Sequence, residues 1–61
     1  MTEYHFEGIR DDGSRWLLCG NGVVDDLCTA QEIAKKSLDE RGFESVEIFV
    51  YKKKVVEVVE R

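Results

Sequence analysis

Only one stretch of this chain carries a helical period, and both of its ends are marked in the sequence. Thr29-Ala30-Gln31-Glu32 fits a capping box, in which hydroxyl and carboxylate satisfy backbone N–H groups that open a helix. Cys28, just before that cap, is placed to pack on Ile33 as a hydrophobic staple. Ala30, Ile33, Ala34, Ser37 and Leu38 then recur as a single narrow stripe of apolar or small residues. Gln31, Glu32, Lys35, Lys36, Asp39 and Glu40 take the opposite face, with Glu32 and Lys36 in the favourable order for an i,i+4 pair. Gly42 suits the left-handed position after the last turn, from which Phe43 can fold back on Leu38. A lone helix with one narrow stripe cannot enclose a core by itself, so it needs a sheet to cover.

The flanking segments supply that sheet as two hairpins. Tyr4-His5-Phe6-Glu7-Gly8-Ile9-Arg10 alternates, Asp11-Asp12-Gly13-Ser14 turns, and Arg15-Trp16-Leu17-Leu18-Cys19 returns. A two-residue Asp12-Gly13 turn sets Ile9 opposite Trp16 and Phe6 opposite Cys19. Gly20-Asn21-Gly22 breaks the strand, and Val23-Val24-Asp25-Asp26-Leu27 reads equally as a short strand or an extended approach to the helix. Beyond the helix, residues 44–51 alternate and are rich in β-branched and aromatic side chains. Lys52, Lys53 and Lys54 turn the chain, and Val55-Val56-Glu57-Val58-Val59-Glu60 returns. A three-residue turn pairs Val50 with Val56 and Ile48 with Val58. A two-residue turn would set Ile48 against Glu57, so the longer turn is favoured.

The expected fold is therefore α+β: one ββαββ domain over residues 1–61, an antiparallel four-stranded sheet with the helix on one face. The helix side should bury Val46, Ile48, Val50, Val56 and Val58, with Tyr4, Phe6 and Leu17. The uncovered face then carries Ile9, Trp16, Leu18, Phe49, Tyr51, Val55 and Val59, interrupted by His5, Glu7, Glu47 and Glu57. A solvated sheet face ordinarily reads polar. This one reads apolar, and large exposed apolar patches mark interaction sites. A domain of 61 residues has little core to spare, so a homodimer stacking sheet on sheet is expected as one use of that surface.

Composition removes several function classes. Thirteen acidic residues against nine basic ones leave a net charge of −4, which argues against indiscriminate DNA coating. No apolar run approaches the ~20 residues of a membrane span, and the first residues do not begin a secretory signal, so no membrane contact and a cytoplasmic location are expected. One histidine and two widely spaced cysteines do not make a zinc site; no metal or cofactor is expected.

No enzymatic constellation stands out either. His5 lies two residues from Glu7 on one strand face, but a lone strand histidine is ordinarily just exposed. Cys19 and Cys28 could meet across the connection, although buried free thiols in a reducing compartment are the simpler reading. No base flanks either thiol. Asp11-Asp12-Gly13-Ser14 lacks the spaced ligands of a calcium loop. Gly20-Asn21-Gly22 has no following Lys-Ser/Thr to make a phosphate loop. Lys52, Lys53 and Lys54 beside Tyr51 and Phe49 suggest single-stranded nucleic acid stacking on sheet aromatics, the alternative function. A solvated turn explains the same lysines.

Thr29-Ala30-Gln31-Glu32-Ile33-Ala34-Lys35-Lys36, then Gly42-Phe43-Glu44-Ser45-Val46-Glu47-Ile48, then the closing valine hairpin, resembles small ββαββ proteins of phages and mobile elements. Some of that group inhibit bacterial defence systems, anti-CRISPR proteins among them. The resemblance implies a non-enzymatic inhibitor that binds a protein and blocks its surface. It is one of pattern, and carries over no site residues. From the residues themselves, Trp16, Phe49 and Tyr51 are the expected anchors, with Asp39 and Glu40 on the acidic helix rim as charge partners.

Overall fold

The computed structural model describes residues 2–18, 20, 22–50 and 54–61. Strands β1 (His5–Ile9) and β2 (Arg15–Leu18), helix α1 (Leu27–Arg41), and strands β3 (Ser45–Val50) and β4 (Lys54–Glu60) follow in that order. The strands form one antiparallel sheet ordered β2-β1-β3-β4, so the two hairpins join through β1 and β3. The helix packs over β3, β4 and β1, which leaves edge strand β2 largely outside its cover.

The core lies between helix and sheet. Ala30, Ala34 and Leu38 from α1 meet Phe6, Val46 and Ile48 from the sheet, with Val24 and Phe43 closing the two ends. Tyr4, Leu18, Ile33 and Val59 pack around it. Gly8 belongs to this face because the Phe43 ring lies directly on it, where a Cβ would come within 2.6 Å of ring atoms.

Both hairpin registers differ from the sequence reading, by one residue in the first and by one, then two past a bulge, in the second. In the first, Gly8 pairs with Trp16 and Phe6 with Leu18, where Ile9–Trp16 and Phe6–Cys19 pairs were expected. The loop holds three residues rather than two. Gly13 N–H donates to Arg10 C=O at 2.9 Å, and Arg10 N–H donates to Ser14 C=O at 2.9 Å. Gly13 adopts φ 88°, the left-handed last residue of a three-residue hairpin loop. Asp12 stabilises the turn by accepting from Ser14 N–H at 2.9 Å and Ser14 Oγ at 2.7 Å. The Ser14 hydroxyl first, then its N–H, hold the Asp12 carboxyl below the usual carboxylate range.

In the second hairpin Val46 pairs with Val59 and Ile48 with Glu57, the pairing that polarity had argued against. Glu57 is tolerated on the helix face because Gln31 Nε2 donates to its carboxylate at 2.9 and 3.1 Å. A bulge then adds Val56 as an extra residue, and Phe49 pairs with Val55, Val50 with Lys54. Val59 and Leu18 are therefore the partly buried residues, while Leu17, Val56 and Val58, expected in the core, are exposed.

The helix begins three residues earlier than the capping box implied. Asp26 is the cap, accepting from Thr29 N–H at 3.0 Å and Thr29 Oγ1 at 3.1 Å. Cys28 is thus a first-turn residue with an exposed free thiol, neither a staple nor buried. Cys19, and with it the question of a Cys19–Cys28 pair, lies outside the described residues. Residues 23–26 form no strand, but Val24 is buried and its carbonyl accepts from Tyr4 N–H at 2.8 Å. Gly42 closes the helix as expected, at φ 71° with its N–H on Leu38 C=O at 3.0 Å. The i,i+4 pair that forms is Lys36–Glu40 at 3.9 Å.

One stabilising element had no sequence signal. Arg61 Nη2 donates to Leu38 C=O at 2.8 Å and Phe43 C=O at 3.0 Å, and Nε to Phe43 C=O at 3.2 Å. The guanidinium lies at the negative end of the helix dipole, adds a second donor to Leu38 C=O beside Gly42 N–H, and holds the Phe43 carbonyl just past the helix.

Candidate open-face interface

The observed registers set the face opposite the helix in three cross-strand rows. Leu17, Glu7, Glu47 and Val58 form the central row. Arg15, Ile9, Ser45 and Glu60 form the row on one side. His5, Phe49 and Val55 form the row on the other. Residues directly opposite on paired strands share a face, so each row is a line of neighbouring side chains.

At the centre two glutamates face each other across β1 and β3, an unfavourable like-charge pair. Arg15 compensates from the edge strand: its Nη1 donates to Glu7 Oε1 and, at 2.8 Å, to Glu47 Oε1. Glu47 foremost, with Glu7, raises the Arg15 pKa further above its ordinary value. The two carboxylate side chains are only 23% and 19% exposed, against 52% for Arg15. Glu7, Arg15, Glu47, Phe49 and Val55 line a shallow depression there. Around it lie Leu17 at 61% exposure, Val55 at 47% and Val58 at 44%. His5 stacks on Phe49 with ring centroids 5.6 Å apart.

The two expected anchors among the described residues, Phe49 and Trp16, lie on opposite sides of the sheet. Phe49 is on the open face, half-buried among these groups. Trp16 is on the helix side, because it pairs with Gly8 and shares that residue's direction. It remains exposed since α1 does not extend over β2, and Arg10 lies 5.5 Å from its ring centroid and 5.2 Å from that of Phe43. Leu18, Val59 and Glu57, also assigned to the open face, belong to the helix side. Asp39 and Glu40 are exposed on α1, on the other side of the sheet from Phe49. Tyr51, Lys52 and Lys53 lie outside the described residues, so the expected lysine tip is represented only by Lys54 at the start of β4. The Arg15 bridge went unseen in sequence because the shifted register put Trp16, not Arg15 and Leu17, on this face.

Among the described residues no group of three or more His, Cys, Asp or Glu is arranged to hold a metal, and no helix is long and apolar enough to cross a membrane. Compared with protein-family models, curated proteins and solved structures, the chain matches none.

Proposed function

We propose that this chain is a non-enzymatic protein-binding module that acts by covering a surface of its partner with the open face of the sheet. The observation that carries the reading is the set of exposed Leu17, Val55 and Val58 side chains around Phe49 on a face that no described element covers. Exposed apolar side chains gathered on a sheet face, where a solvated strand would ordinarily carry polar ones, speak for an interaction surface. An inhibitor of a bacterial defence system is one such module, and the resemblance of the sequence pattern to small phage proteins is what supports that use.

The reading is tested by placing the photo-crosslinking residue p-benzoylphenylalanine at Val58 or, as a control on the helix, at Asp39, and irradiating each in cells of the source organism. A discrete protein adduct from position 58, absent from position 39 and competed by wild type but not by a Leu17→Lys variant, supports it. Equal labelling from both positions, or none from position 58, refutes it.

A further inference from the structure

Among the described residues, the centre of the open face holds two carboxylates and one guanidinium. One negative charge is therefore left over at Glu7 and Glu47, in the middle of an apolar frame. Covering that frame with a purely apolar surface would strip water from an uncompensated charge, which costs far more than exposed ion pairs return. A second copy stacked on this face with the two-fold axis through its centre would bring the same surplus against itself. Nucleic acid would add phosphates to it. A surface that brings a cation turns the same charge into an attraction.

We infer that the partner is a protein surface in which a lysine or arginine stands among apolar side chains, and that this cation docks against Glu7 and Glu47. The inference rests on the protein-binding reading above and names the chemistry of its partner. Arg15 then has a second consequence. It holds the like-charged pair together in the free protein, and it competes with the incoming cation for the same carboxylate oxygens. Phe49, Val55, Leu17 and Val58 supply the apolar contact on either side.

The probe is a library of random peptides displayed on phage and selected on the intact chain. Enriched peptides should carry Lys or Arg flanked by apolar residues, and should shift the amide signals of Glu7, Glu47, Phe49 and Val58. Glu47→Gln should weaken their binding about tenfold. Arg15→Gln should tighten it, a direction that a merely structural arginine would not produce. Thermal unfolding checks both variants, and Glu7→Gln, which keeps the Arg15–Glu47 pair, serves if either fails to fold. Peptides that map to this face without a basic residue overturn the inference and leave the protein-binding reading standing. Peptides that map to the helix or to the Trp16 rim, or a selection that enriches nothing, overturn both. A concentration-dependent dimer buried through Val58 overturns the inference in favour of a second copy.

Discussion

Replacing Gly8 by alanine adds a single methyl group where the sheet has least room for it. Built on Gly8, the new Cβ falls 2.5 Å from Phe43 Cε2 and 2.6 Å from Cδ2 and Cζ, where ordinary contact begins at 3.4 Å. The ring would have to retreat by about 0.9 Å. Phe43 is only 2% exposed and packed in one cluster with Leu38 and Val46, so no free space receives it. Overpacking of this kind costs about 1–3 kcal/mol. Against it, Gly→Ala reduces unfolded-chain entropy and would by itself stabilise by about 0.4–1 kcal/mol. The steric term wins, and the net loss is about 1–2 kcal/mol. For a domain this small each kcal/mol moves Tm by roughly 4–8 °C, so Tm should fall by about 5–15 °C. Thermal and urea unfolding followed by far-ultraviolet circular dichroism would measure it. A cycle with Phe43→Leu distinguishes the clash from a general sheet effect, because the smaller side chain should recover part of the Gly8→Ala loss. A Gly8→Ala protein as stable as the wild type, or strictly additive losses in the cycle, would show that the ring does not rest on this glycine.

The two helix ends give further tests. Asp26→Ala removes the side chain that accepts from Thr29 N–H and should cost about 1 kcal/mol in thermal unfolding. Thr29→Ala, the change that a capping box at Thr29 would make costly, should stay within about 0.5 kcal/mol. At the other end, Arg61→Ala removes the donor contacts to Leu38 and Phe43 carbonyls. It should cost about 1 kcal/mol and speed amide hydrogen exchange in the last turn of α1, whereas unchanged exchange would deny Arg61 a capping role.

The order of elements was legible because its signals are local. A 3.6-residue stripe, an Asp-Gly turn and a glycine after the last helical turn each act within a few residues, and all three are realised at Ala30, Ala34 and Leu38, at Gly13 and at Gly42. Register was not legible, since it depends on groups distant in sequence. Glu57 looks misplaced opposite Ile48 until Gln31, on another element, is seen to donate to it. The Asp-Gly pair is likewise ambiguous by itself. It suits both positions of a two-residue loop and the last two positions of a three-residue loop, and Arg10 and Ser14 decide between them by pairing with each other. The helix start is a similar case: Thr29 opens a capping-box pattern, yet the cap is Asp26, a residue type of equal capping ability that the path of the chain places there.

A shift of one residue in register exchanges the faces of a strand, so it changes what the open surface is able to bind. With Trp16 and Leu18 outward, β2 would have extended an aromatic patch suited to flat apolar partners or to stacked bases. With Arg15 and Leu17 outward, the same strand places its cation across two facing glutamates and its leucine at the border. The large aromatic is instead on the helix side, where Arg10 lies against it, and the described centre of the open face keeps one negative charge beyond the one Arg15 offsets, beside Leu17, Phe49, Val55 and Val58. On the proposed binding reading, recognition turns on matching that charge rather than on burying area, because a partner without a cation must desolvate a carboxylate that nothing repays. Selectivity would then reside in Glu7, Glu47 and Arg15, and affinity in Leu17, Phe49, Val55 and Val58. Changing the first set should alter which partners bind; trimming the second should weaken all of them together.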